Sequence, residues 1–211
     1  MQRKNIFAAD KMKLRVLIFV FTSLCFLVCL VACNTDHTPK PNAYSRIHFP
    51  ERRGLQTYED PACPYIFEAP DYYVIQRKTK FFKEDVAGRC WLNLECSDLN
   101  ATIYLSYKQL DEKQTLKRLV EEAYSLTFKH TQKADYIQPQ EIDNGIGGQG
   151  LIYYVGGDAA SNIQFFITDT VHHFVRGALY FYAHPNADSL KPAIDFMVED
   201  VKGILGSWRW K

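Results

Sequence analysis

An excess of charge of either sign is missing from this sequence: 25 Lys and Arg stand against 24 Asp and Glu in 211 residues, a formal net charge of +1 with His neutral. That balance excludes the basic footprint needed to hold nucleic acid or an anionic membrane surface. Cysteine is scarce, with 6 in the chain, and none of the spacings is Cys-x-x-Cys or a mixed His/Cys zinc pattern, so a metal site is not expected. No internal repeat is visible. The one glycine cluster, Asp143-Asn-Gly-Ile-Gly-Gly-Gln-Gly150, lacks the features of a phosphate loop. Such a loop leaves into a helix and carries a Lys followed by Ser or Thr, whereas this one leaves into the strand-like Leu151-Ile-Tyr-Tyr-Val155. A turn or bulge is the expectation there. Ser106 and Ser161 have no nucleophile-elbow context, and no carboxylate pair is spaced for acid and base roles. The sequence therefore points away from catalysis, and no cofactor is implied.

What the chain does have is an export signal. Arg3, Lys4, Lys11, Lys13 and Arg15 precede an uncharged run from Val16 to Ala32, which ends Leu30-Val31-Ala32-Cys33. A basic segment, an apolar segment and small residues before a cut define a secretory signal peptide, and the Leu-Val-Ala-Cys ending matches a lipobox. Residues 1–32 are then removed and Cys33 becomes the lipid-bearing first residue, each buried methylene of its acyl chains contributing roughly 0.8 kcal/mol to membrane attachment. Seventeen uncharged residues also reach the short edge of a membrane span; the Cys at the cut favours lipidation. Met12 is an equally good start, since the segment from Met12 to Cys33 is by itself a complete signal. Taking away five basic residues and one acid leaves 20 against 23 and a net charge of −3 over 179 residues, enough for one domain without a disulfide scaffold.

Residues 33–60 read as the lipidated Cys and an extended tether, because 34–43 is polar and Pro-containing with no apolar period and Pro50 blocks pairing beyond Tyr44–Phe49. At roughly 3.3–3.6 Å per residue, this stretch spans about 90 Å. A single α+β domain is expected over 61–211. Strands are expected at 65–68, 73–77, 90–95 and 101–107, the last with Ala101, Ile103, Leu105 and Tyr107 on one apolar face. Asp111 and Gln114 have capping-box spacing ahead of a helix whose stripe is Leu116, Leu119, Val120, Ala123, Leu126, Thr127 and His130. A three-strand meander follows at 151–155, 163–168 and 172–182. A final helix, capped by Asp188 or Ser189, carries the stripe Leu190, Ile194, Met197, Val198, Val201 and Leu205 and ends at Gly206. The sum is a mostly antiparallel sheet with helices packed against it.

Three thiols remain after Cys33. Cys63 stands just before one strand and Cys90 opens another, so these two are paired as a disulfide suited to an oxidising envelope; Cys96 is left as the free thiol. His172 and His173 are adjacent on a strand and must face opposite ways, one inward and one outward. His184 and Asp188 flank the start of the last helix.

Several separated segments carry a resemblance: Thr38-Pro-Lys-Pro-Asn-Ala-Tyr44, Cys63-Pro-Tyr-Ile-Phe-Glu68, Cys90-Trp-Leu-Asn93, Asn100-Ala-Thr-Ile-Tyr-Leu-Ser-Tyr-Lys108, His173-Phe-Val-Arg-Gly-Ala-Leu-Tyr-Phe181 and Pro185-Asn-Ala-Asp-Ser-Leu190. Through them the chain resembles the GldD gliding-motility lipoprotein family of Bacteroidota. Cys63 and Cys90 match the family pattern, while Cys96 sits where an apolar residue is expected. The resemblance implies a non-enzymatic envelope lipoprotein whose partners are the membrane through Cys33 and other gliding or type IX secretion proteins; the residues after Cys33, Asn34-Thr-Asp-His37, lack the acidic run of a surface-export signal, so a periplasm-facing position is expected. The order of elements also looks like the PsbP/Mog1-type fold. On this reading an exposed interaction surface is expected around His173, Arg176, His184 and Asp188. The alternative, an anchored ligand binder or enzyme, expects the same four residues to converge in a deep pocket.

Overall fold

The structure, a computed structural model, describes residues 15–25, 44, 46–78, 80–81, 84–85, 90–129 and 133–211. Cys33 and His130 lie outside the described residues. Two units are distinguished, 1–43 and 44–211. In the first, residues 15–25 form an exposed helix, α1. Among the described residues no helix is long and apolar enough to cross a membrane.

The second unit is α+β. Its large sheet has seven antiparallel strands in the order β3 (Val74–Arg77), β6 (Leu92–Cys96), β7 (Ala101–Gln109), β11 (His173–Phe181), β10 (Ile163–Thr168), β9 (Gln149–Gly157) and β8 (Ala134–Asp143). A smaller sheet joins β1 (Leu55–Glu59), β2 (Tyr65–Pro70) and β12 (Arg209–Trp210), and β4 (Lys80–Phe81) pairs with β5 (Glu84–Asp85). Helix α2 is Leu116–Phe128 and α3 is Ala187–Ser207.

Alternation decides which layer covers which face. Leu92 and Leu94 of β6, Ile103 and Leu105 of β7, Ile163, Phe165 and Ile167 of β10, and Val175 and Leu179 of β11 form one buried face. It packs against the small sheet and α3, whose Ala193, Met197, Val201, Ile204 and Leu205 are buried. Trp208 seals this core, its ring stacked 4.8 Å from Tyr65 and 5.0 Å from Phe67. Gly177 is required here: a Cβ on it would stand 2.1 Å from the Phe165 ring. The opposite face carries Tyr153, Phe166 and Phe174 against Leu119 and Ala123 of α2. This second core is the smaller one.

Several expectations are corrected. The domain does not begin at Pro61. Leu55–Glu59 pairs antiparallel with β2 from Leu55↔Pro70 to Glu59↔Ile66, Tyr58 stacks 5.2 Å from Phe67, and Pro50 is buried. The polar look of 51–60 conceals a strand whose partners lie downstream. The meander has four strands rather than three, because the mostly exposed β8 adds an edge; edges tolerate polar residues and Pro139. Strand β6 starts at Leu92 because Cys90 has φ 53°, outside the extended region. Helix α2 is capped by Thr115, whose hydroxyl accepts from the Arg118 amide at 3.4 Å. Asp111 instead accepts from the Lys113 and Gln114 amides at 2.7 and 2.6 Å, closing a turn before the helix. For α3 the cap is Asn186, which accepts from the Ser189 amide at 2.9 Å.

The glycine cluster is the β8–β9 turn, where Gly145 and Gly147 take φ of 70° and 98°. The Asn144 side chain accepts from the Gly148 amide at 2.9 Å and donates to the carbonyls of Leu205 and Trp208 at 3.0 and 2.8 Å. It thereby satisfies carbonyls that the end of α3 leaves open.

One buried charge ties these layers to the N-terminal arm. The Asp200 side chain, 1% exposed, accepts from Arg52 at 2.8 Å, from the Tyr73 hydroxyl at 3.1 Å and from the Tyr72 hydroxyl. The Arg52 guanidinium also lies 4.0 Å over the Phe196 ring. Replacing Asp200 by Asn removes the charge-assisted part of its hydrogen bonds with three residues and is expected to cost about 2 kcal/mol. Arg52→Ala, at a half-exposed position, is expected to cost about 1 kcal/mol. Urea unfolding midpoints measure both, and an Asp200→Asn midpoint equal to wild type contradicts this role.

Candidate functional site

The four residues expected to share a surface or pocket do not meet. His173 lies on the α3 side of the sheet, its Nδ1 2.9 Å from the Tyr107 hydroxyl and its ring stacked 5.2 Å from Trp210. Arg176, three residues on, points to the α2 side and is partly buried. An odd spacing on a strand places two side chains on opposite faces, which is why these two cannot cooperate. His184 and Asp188 are both exposed and line a separate polar hollow with Lys133, Asp135 and Asp158. Arg176 is therefore not part of an exposed patch.

The structure brings Cys63 and Cys90 together as a disulfide, with Cα atoms 5.5 Å apart. The Tyr65 hydroxyl donates to the Cys90 carbonyl at 2.6 Å. Cys96 is free and buried. Burial raises its pKa, so the thiol is held protonated and unreactive. Among the described residues no group of three His, Cys, Asp or Glu side chains stands close enough to hold a metal.

The best-formed site is a cavity of about 550 Å³ between α2 and the outer face of β6, β7 and β11. Helix α2 packs over β10 and β11, and its thirteen residues extend only about 20 Å. Toward β6 the sheet face is left partly uncovered. The wall is largely apolar and aromatic, with Leu119, Ala123 and Leu126 from the helix, Phe174 and Tyr180 from β11, and Trp91 from just before β6. Three cations, Lys78, Lys108 and Arg176, face it with one carboxylate, Glu122. That carboxylate is already engaged, with Lys108 Nζ 2.9 Å from each of its oxygens. Lys78 Nζ lies 5.4 Å over the Tyr104 ring. Burial, reinforced by a hydrogen bond with the Tyr182 hydroxyl, pushes the Tyr104 pKa up to about 12.

Arg176 is the unusual member. Its guanidinium donates to the side-chain oxygen of Gln164 on the neighbouring strand, and the Gln164 oxygen also accepts from Thr127 at 3.4 Å. No carboxylate among the described residues pairs with it. Burial lowers the Arg176 pKa, opposed by the charges of Tyr180 and Glu122. The site was hidden from sequence reasoning because its walls come from β6, β7, β11 and α2, and only the alternation of His173-Phe174-Val175-Arg176 hinted that Arg176 shares the face of Phe174.

Three comparisons bear on the whole chain. A family model described as gliding motility lipoprotein GldD matches residues 34–210. No curated protein matches the chain. Among solved structures, the chain is similar to the solution structure of cyanobacterial PsbP (CyanoP) from Synechocystis sp. PCC 6803, at 13% identity and a TM-score of 0.43, over 78% of this chain and 99% of that one.

The pH response of the fold follows from His173. Burial lowers its pKa, with His172 adding to this and Asp169 opposing it. A histidine whose folded pKa lies below the unfolded value near 6.5 stays neutral in the fold while the unfolded chain takes up a proton. Its stabilising contribution is present above about pH 6.5 and is lost as the pH falls below it. Asp169 acts in a lower window. Burial raises its pKa, but hydrogen bonds from the amides of His173, His172 and Val171 outweigh that and leave it lowered, so its contribution fades only below about pH 4. Thermal midpoints at a series of pH values should therefore fall between pH 7 and 5, and His173→Gln should flatten that interval.

Proposed function

The chain belongs to the gliding motility lipoprotein GldD family, and from that membership we propose that it is a non-enzymatic, lipid-anchored component or assembly factor of the gliding and type IX secretion machinery. Cys33 carries the acyl chains, and the folded domain works by contact with other envelope proteins on the periplasmic side. The observation that carries this reading is the family match over 34–210, which starts one residue after Cys33. The Cys63–Cys90 disulfide supports an oxidising compartment outside the cytoplasm.

The domain boundary changes what an anchor at Cys33 can do. Residues 34–45, even fully extended, span about 40 Å, less than half the reach of a tether running to residue 60. From there the chain is held: Phe49 and Phe196 have ring centroids 5.0 Å apart, and Arg52 bonds Asp200. A domain on so short a leash works close to the membrane that holds it.

The test is crosslinking in cells followed by pull-down of the full-length protein beside a Cys33→Ala form. Recovery of gliding or type IX components with the wild type, reduced several-fold with Cys33→Ala at matched expression, is the expected result. A well-expressed, membrane-bound protein that captures none of them overturns the machinery reading. Equal recovery with both forms overturns the anchoring.

A further inference from the structure

We propose that the cavity beneath α2 binds an organic monocarboxylate with an apolar body, its carboxylate on Arg176. The inference stands apart from the machinery role and rests on three observations. First, Arg176 is a partly buried cation with no carboxylate partner among the described residues; its acceptor is the neutral Gln164 oxygen. A buried charge is costly unless paired, and a guanidinium presents five donors in a planar fork that fits a carboxylate two bonds at a time. Second, the one acid in the lining is already engaged. Glu122 is held by Lys108 at 2.9 Å through both oxygens. Third, the Asn93 side-chain oxygen is buried beside the cavity without a donor. The two ends of an Asn amide are interchangeable by rotation, so either end can meet a ligand's polar atom.

The rest of the wall determines what else the ligand must be. Leu119, Ala123, Leu126, Phe174 and Tyr180 offer nothing to a second charged group but favour an aliphatic or aromatic body. A volume of about 550 Å³ lies within the range of small-molecule sites. An envelope fatty acid and a soluble aryl acid share the required chemistry, and the two differ only in the body.

The test uses the full-length protein in lipid nanodiscs, with empty nanodiscs as the blank, titrated calorimetrically with 2-naphthoate, decanoate, 2-naphthamide and 2-naphthyl phosphate. The expected result is saturable binding of a carboxylate about tenfold or more tighter than the uncharged amide. Decanoate ahead of 2-naphthoate supports the proposal with an acyl body, and the reverse order supports it with an aryl body. Arg176→Gln should erase the preference for carboxylate over amide. Leu126→Trp, at a partly exposed position on the cavity rim, should abolish binding of both while Arg176 stays in place, and decides the matter if Arg176→Gln does not fold. Equal affinity for naphthoate and naphthamide overturns the proposal. So does a carboxylate preference that survives in Arg176→Gln, tighter binding of the phosphate than of either carboxylate, or no saturable binding to the folded wild type.

Discussion

The buried carboxylate of Asp200 is the constraint on which the rest of this structure depends. A charge sealed inside a protein must be supplied with donors, and Asp200 draws them from three places: Arg52 in the arm before β1, and Tyr72 and Tyr73 just after β2. Meeting that demand brings the N-terminal arm, the small sheet and α3 to one point. Burial, and the neighbouring carboxylate, raise the pKa of both tyrosines, so their hydroxyls stay protonated as donors throughout the physiological range. Desolvation works against the Arg52 charge, but the hydrogen bond to Asp200 more than restores it.

From that anchor the large sheet divides the molecule into two unequal halves. Toward α3 the packing is dense: Trp208, Tyr65 and Phe67 are fully buried and stacked, and Asn144 ties the β8–β9 turn to the end of the helix. Toward α2 one helix covers part of a wide face, and the cavity opens where its cover stops. Stability is thus concentrated on one side of the sheet, and on the other a cation with no carboxylate partner among the described residues faces a largely apolar wall. A family defined by motility gives no account of that cation. A ligand counter-ion gives one.

How much of this was legible beforehand varied with how local the cause was. The two faces of β7 and the stripe of α3 followed from alternation and helical period, since burial on one side imposes that pattern on any sequence. Strand β1 was not legible: Leu55-Gln-Thr-Tyr-Glu59 is half polar and exists because β2 lies beside it. Strand β8 was missed for the same reason, an edge strand being free to carry Gln, Glu and Pro139. The α2 cap was misplaced because Asp111 and Thr115 both offer an acceptor side chain, and only the path of the chain out of β7 chose between them. The grouping of His173 with Arg176 failed on parity.

The sequence by itself determined the α+β class, the apolar faces of the central strands and the family, because these depend on patterns within short windows and on residues matched one at a time. It also carried the export signal and Cys33 as an expectation in its first thirty-three residues. Tertiary structure alone decided where the domain begins, which donors reach Asp200, and that Arg176 meets Gln164 rather than a carboxylate among the described residues beneath α2. Each of those is a relation between residues far apart in the chain, and no local period records which distant side chain will, or will not, meet a buried charge.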